Sequence, residues 1–128
     1  MQITNSLETA NFLRLKIQCH DVEEFWAIAL NPYCTIIHCS MLFRGTVDSC
    51  LVHPRDIFRF GIIFNASSII VVHNHPSGNC FPSDADIKMS SKIKEAGLLL
   101  QIPLTDHVII TARTHYSFAD SYWKRTLK

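Results

Sequence analysis

Two histidines, a serine and an aspartate carry most of the chemistry available to this 128-residue chain. His73 and His75 close the run Ile69-Ile70-Val71-Val72, and Ser83 and Asp86 follow after the segment Pro76-Ser77-Gly78. The β-branched apolar run predicts a buried strand. Side chains alternate along a strand, so His73 and His75 point to the same side at its end. Ser83-Asp84-Ala85-Asp86 predicts a helix start, with Ser83 as N-cap and Asp86 at the third helical position. Two imidazoles from a strand end and one carboxylate from the next first turn can converge on one point. Such a set, His73, His75 and Asp86, describes a zinc site with three protein ligands and a fourth position for water.

Each half of this pattern is weak alone. His-x-His recurs by chance, and Ser-x-x-Asp opens many helices for capping only. The combination is far more specific, because His73, His75, Pro76, Ser83 and Asp86 must all fall at fixed spacings. Other zinc chemistries lack their signatures. The sequence has no His-Glu-x-x-His, and neither the His-x-Glu nor the Pro-Cys-x-x-Cys of the nucleobase deaminases.

The segment is similar to the JAMM metalloprotease motif: His-x-His, ten residues, then Asp, with Ser three before the Asp. The wider sequence resembles the RadC family, a bacterial branch of the JAMM/MPN superfamily. The residues that carry this likeness are Phe43-Arg44-Gly45-Thr46, Val52-His53-Pro54-Arg55, His73 to Gly78, Lys94-Glu95-Ala96-Gly97, Asp106-His107 and Tyr116-Ser117-Phe118. The likeness runs from near Asn11 to Trp123.

The resemblance implies a zinc-dependent hydrolase acting on peptide or isopeptide-like amides, with the Ser83 hydroxyl helping to hold an oxyanion. It also implies a general-base Glu three residues before the Phe of the Phe-x-Gly-Thr segment. That position is Ser40 here. A serine cannot serve as a carboxylate base at neutral pH, and losing a general base costs ~10²- to 10⁴-fold in rate. His38 lies on the same strand face, and Glu23 and Glu24 open the preceding strand, approaching the site only from its far end. None of the three is assigned the role. The Ser40 departure supports a second reading, an MPN-type scaffold that binds a partner without turnover. RadC relatives also carry a DNA-repair label and an N-terminal helix-hairpin-helix region, whereas this sequence opens almost directly on the metal-site domain.

The positioning elements follow from periodicity. A helix is predicted from Asn5 to Cys19 with Leu7, Ala10, Leu13 and Ile17 as its apolar face. Phe25 to Leu30 reads as a central strand covered on both faces, and Thr35 to Phe43 as its hairpin partner after Asn31-Pro32. His53-Pro54-Arg55-Asp56 starts a second helix with Ile57, Phe60 and Phe64 inward. A third helix after the site buries Met89, Ile93, Ala96 and Leu100. Asp106 to Thr111 and Tyr116 to Phe118 are strands, and Ala119 to Lys124 a terminal helix. Asn74, Ser77 and Gly78 read as shaping the loop, and Asp106-His107 either as orienting a ligand or as simply opening a strand. His20, His53 and His115 are assigned no site role.

Alternating strands and helices predict an α/β fold: one domain over 1–128, a mixed sheet with helices on both faces. The resemblance implies the three-layer α/β/α JAMM/MPN architecture, related to that of cytidine deaminase. The composition, 48% hydrophobic and 18% charged, suits a globular domain that buries a full core. No apolar run approaches the ~20 residues of a membrane span, and no signal peptide opens the chain. Five cysteines, an odd count, read as free thiols in a reducing cytoplasm. Cys34 and Cys39 are expected as small buried hydrophobes. A net charge of +1 gives DNA binding no support. The partner is expected to be a peptide or protein.

Overall fold

The computed structural model of the chain describes residues 1–17, 20–45 and 52–126. The elements in order are α1 (Ser6–Lys16), β1 (Glu23–Leu30), β2 (Ile36–Gly45), α2 (Pro54–Ile63), β3 (Ser68–Asn74), α3 (Asp84–Leu100), β4 (Leu104–Ile110), β5 (His115–Ser117) and α4 (Tyr122–Thr126). Among the described residues the five strands form one sheet in the order β2-β1-β3-β4-β5. β1 pairs antiparallel with both β2 and β3, β3 pairs parallel with β4, and β5 returns antiparallel. The sheet is mixed and the fold is α/β, as the sequence predicts. A parallel pair needs a crossover, and α3 supplies it, running back against the direction of both strands.

Strand alternation divides the core into two layers. On one face Phe25, Ala27, Ile69 and Val71 pack with Ile57 and Phe60 of α2 and with Met89 and Ile93 of α3. On the other, Ile28, Ile70, Val72 and Val108 pack against Ala10 and Leu13 of α1. β3 is buried along its whole length, which explains its unbroken apolar reading. α3 meets the start of β4 closely at Gly97. A Cβ there would lie 2.7 Å from the Ile102 carbonyl oxygen, so no side chain fits.

Several boundaries depart from the sequence reading. α1 ends at Lys16, with Ile17 already extended, and the predicted terminus at Cys19 lies outside the described residues. Leu7 is exposed, while Ile3 joins the same core layer. Leu100 is exposed too, and Asp86, Ser90 and Gly97 complete the buried side of α3 in its place. β4 opens at Leu104 rather than Asp106, because the Ile69 amide donates to the Pro103 carbonyl at 3.0 Å and starts the parallel ladder early. β5 is shifted one residue to His115–Ser117, and residues 119–121 form a turn rather than the first turn of α4. Cys34 is exposed, not buried: it occupies the left-handed region (φ 61°) in the tight turn whose amides Asn31 Oδ1 accepts. Cys39 is half-buried, and burial pushes its thiol up to about 11.

Candidate metal centre

The carboxyl end of β3 and the amino end of α3 meet as the motif spacing requires. His73 is the penultimate residue of β3 and fully buried; His75 follows the strand, its amide donating to the Ile110 carbonyl of β4 at 2.9 Å. The chain then turns back: Gly78 donates to the His75 carbonyl at 3.2 Å and adopts φ +88°, a conformation glycine takes without strain. At the head of α3, the Ser83 hydroxyl accepts the Asp86 amide at 3.1 Å and Asp86 Oδ2 accepts the Ser83 amide at 2.9 Å. This reciprocal capping box locks Asp86 into the first turn and aims its carboxylate at the histidines.

The three side chains converge. His73 Nε2 lies 3.3 Å from Asp86 Oδ1, His75 Nε2 lies 3.1 Å from Asp86 Oδ2, and the two Nε2 atoms are 3.2 Å apart. A tetrahedral ion with ligand bonds of ~2.0–2.1 Å spaces its ligand atoms ~3.3 Å apart, a separation close to each of these approaches, in which the two imidazoles meet different oxygens of Asp86. Two imidazole nitrogens and one carboxylate oxygen are a donor set suited to zinc. Among the described residues this is the cluster of His, Cys, Asp and Glu that could hold a metal ion.

Hydrogen bonds set the ring tautomers. His75 Nδ1 donates to the Asn79 carbonyl at 2.8 Å, which leaves Nε2 to face the centre. His73 Nδ1 meets His107 Nε2 at 3.0 Å, so the ligand ring is held from behind by a second imidazole. Phe25 stacks on His73 with ring centroids 6.0 Å apart. His107 in turn stacks on Phe118 at 4.5 Å.

The electrostatics favour a cation at the centre. Burial acts to raise the Asp86 pKa, but hydrogen bonds from His73 and His75, the His73 charge and the Ser83 amide outweigh it and hold the carboxyl well below its usual range. Burial lowers the proton affinity of His75, yet Asp86, the Asn79 carbonyl and the more distant charge of Glu23 together raise it. His107 stays neutral: burial drives its pKa far down, and the neighbouring His73 and His75 add to that.

The remaining candidate residues are sorted by the register. Ser40 pairs with Ala27, which pairs with Val71, two residues before His73. It therefore shares the ligands' face of the sheet, on the edge strand two strands away. His38 lies on that face too, but it is exposed and stacks on Phe64 with centroids 4.0 Å apart. The reading that Glu23 and Glu24 approach only from the far end is overturned. β1 runs antiparallel to β3, with Phe25 opposite His73, so its first residues flank the ligand end. Glu24 points to the opposite face, where its carboxylate accepts Trp26 Nε1 at 3.0 Å and pairs with Arg44 at 3.7 Å. Glu23 sits on the ligands' face and, with Asp21, Val22, Gly45 and Pro76, lines an open cleft of about 450 Å³ beside the metal loop.

Asn74 does not touch the centre. Its side chain accepts the Glu24 amide at 2.7 Å and donates to the Val22 carbonyl at 3.0 Å, tying β1 to the end of β3. Asp106 and His107 diverge, as neighbours in a strand must. Asp106 turns away to accept the Ser117 hydroxyl at 2.7 Å and the Ala119 amide at 3.1 Å, and burial raises its pKa to about 6 despite those bonds. His115 bonds Ser6 at 3.1 Å, away from the site.

A five-stranded mixed sheet carrying a His-x-His strand end against a capped Asp defines a JAB-type metal-site domain. A sequence model of the RadC-like JAB domain family matches residues 3–123, and the chain belongs to that family. It is 41% identical over 110 residues to a UPF0758 protein of Staphylococcus aureus, covering 86% of this chain and 48% of that protein. It is 37% identical over 122 residues to a UPF0758 protein of Paraburkholderia phytofirmans, covering 94% of this chain and 47% of that protein. The chain thus spans about half the length of the curated relatives it matches. No helix among the described residues is long and apolar enough to cross a membrane.

Proposed function

We propose that this chain is a zinc-binding JAB domain whose metal is held by His73, His75 and Asp86 and directed at the carbonyl of a peptide or isopeptide-like amide. The observation that carries the reading is the convergence of two Nε2 atoms, 3.2 Å apart, on the two oxygens of the Asp86 carboxylate at 3.3 and 3.1 Å. Bound there, zinc would supply Lewis acidity towards a carbonyl and acidify a water at its open position. The chain's own residues do the rest. Asp86 and the two imidazoles hold the ion, and the Asn79 carbonyl keeps His75 presenting Nε2. The Ser83 oxygen is engaged in capping as an acceptor, which leaves its hydroxyl proton as a donor for a developing oxyanion. The open cleft beside Pro76 is where an extended substrate would lie.

A second reading, a metal-holding module that binds a partner without turnover, is favoured by one observation: Ser40 stands on the ligands' face where the resemblance asks for a carboxylate base. Elemental analysis of chain purified without chelator, beside His75→Ala, tests the metal. About one zinc per wild-type chain and little in the variant is the expected result; no zinc in either, even after zinc is supplied, overturns it. Amide turnover by the zinc-loaded chain that disappears in His75→Ala decides for the hydrolase, and no turnover decides for the module.

A further inference from the structure

We propose that His107 and Ser90 form a buried relay behind His73 that sets the metal-binding tautomer of its ring. The inference rests on the reading of His73 as a metal ligand through Nε2. A neutral imidazole that gives Nε2 to a metal carries its proton on Nδ1. Nδ1 of His73 lies 3.0 Å from His107 Nε2, which must then accept that proton's hydrogen bond. His107 is a fully buried ring stacked on Phe118. As an acceptor at Nε2 it bears its own proton on Nδ1, and that N–H needs a partner.

Among the described residues two buried side-chain polar atoms have no hydrogen-bond partner: His107 Nδ1 and Ser90 Oγ. Buried polar groups are paired in nearly all native interiors, so each of these two atoms calls for a partner. The topology puts them at one level. Asp86 meets His73 at 3.3 Å, and α3 then runs antiparallel to β3 and β4 and packs against β4. Ser90, four residues after Asp86, descends ~6 Å along the helix. His107 pairs with Val71, two residues before His73, a descent of ~6.6 Å along the strand. Both residues belong to buried faces, and Ser90 is 1% exposed. The hydroxyl of Ser90 takes the His107 Nδ1–H through one bridging water, and closes the line Ser90–His107–His73 behind the metal. His107 and Ser90 are positioning residues: neither touches the metal.

The test reads tautomers and affinity on the 128-residue chain. Long-range ¹⁵N–¹H spectra of the zinc-loaded wild type should show His107 protonated on Nδ1 and bare at Nε2. Zinc competition against a chelator should show His107→Phe weakened ~10- to 100-fold, the usual cost of removing an outer-sphere partner. Ser90→Ala should weaken binding ~2- to 10-fold, the worth of one hydrogen bond, and Ser90→Thr should restore it. His107 protonated on Nε2 in the loaded wild type, or Ser90→Ala matching wild type in both spectrum and affinity, overturns the relay. If His107→Phe does not fold, the wild-type spectrum and the two Ser90 variants decide alone. A wild type that binds no zinc overturns both this relay and the function proposed above; zinc bound equally by wild type and variants overturns the relay only.

Discussion

The two ends of the catalytic geometry expected of this fold are built to different standards. Where β3 meets α3, every polar atom of the ligands is engaged. Asp86 is tied to both imidazoles and to the Ser83 amide, His75 to the Asn79 carbonyl, and His73 to His107. Two strands away, at the β2 edge, the same face carries a small half-buried serine and an exposed histidine resting on Phe64. The first region offers a hydrogen-bonded donor set that a metal ion could use, and β2 offers no carboxylate to move a proton. If the proposed function holds, metal binding and turnover are therefore properties that substitutions can separate.

Substitutions can break that comparison at either end. The largest effect is expected at Asp86. Asp86→Ala removes a ligand and half of the capping box, so zinc should fall from about one per chain to near none by elemental analysis. Loss of the cap alone would cost ~1 kcal/mol of stability. Next comes Ser40→Glu. If the β2 edge lacks only its base, amide cleavage by the zinc-loaded variant should exceed wild type by ~10²- to 10⁴-fold, with zinc content unchanged. Equal rates in the two proteins would mean that the edge lacks more than a carboxylate.

The pH dependence of the metal-free chain sharpens the contrast further. Asp86 has a depressed pKa when folded, so its contribution is present above the unfolded value of 3.8 and is lost as the pH falls below it. His75 has a raised pKa, so its contribution is full below 6.5 and is lost as the pH rises through its folded value. Urea midpoints measured in chelator should therefore favour mildly acid pH over both stronger acid and alkali, and Asp86→Asn should flatten both limbs. A smaller effect is expected for Glu23→Gln, whose charge acts on His75 from a distance: zinc affinity should drop ~2- to 5-fold, most visibly at low salt. The smallest belongs to the β2 edge. His38→Ala should leave zinc affinity unchanged and cost ~0.5–1 kcal/mol in a urea titration, for the lost stack on Phe64.

What could be read along the chain was whatever depends on short spacing. His73 and His75 are two apart on a strand, and Ser83 and Asp86 are three apart at a helix start. Backbone periodicity alone fixes their relative directions, so the ligand set, the capping box and the alternation of strands and helices were all present in the order of residues. Misread positions were those where local pattern competes with a distant partner. Leu7 and Leu100 have helical spacing but face solvent, while Ile3 joins the core layer under α1 and Gly97 is the point where α3 approaches β4. Cys34 is apolar enough to bury, yet the turn that joins β1 to β2 holds it outside.

Only the tertiary structure decided what stands around the ligands. Strand direction is a property of the sheet, and the antiparallel pairing of β1 with β3 moved Glu23 from the far end to the edge of the metal loop. The bond between His73 and His107 joins residues 34 positions apart, brought together by a parallel pairing that a crossover helix makes possible. Ser90 lies one turn beyond Asp86 in sequence, but its burial follows from the way α3 packs against the sheet. The residues in order therefore determined which groups could bind a metal. Which groups hold those ligands in place was set by register and packing, because hydrogen bonds across a sheet leave no periodic trace in the chain.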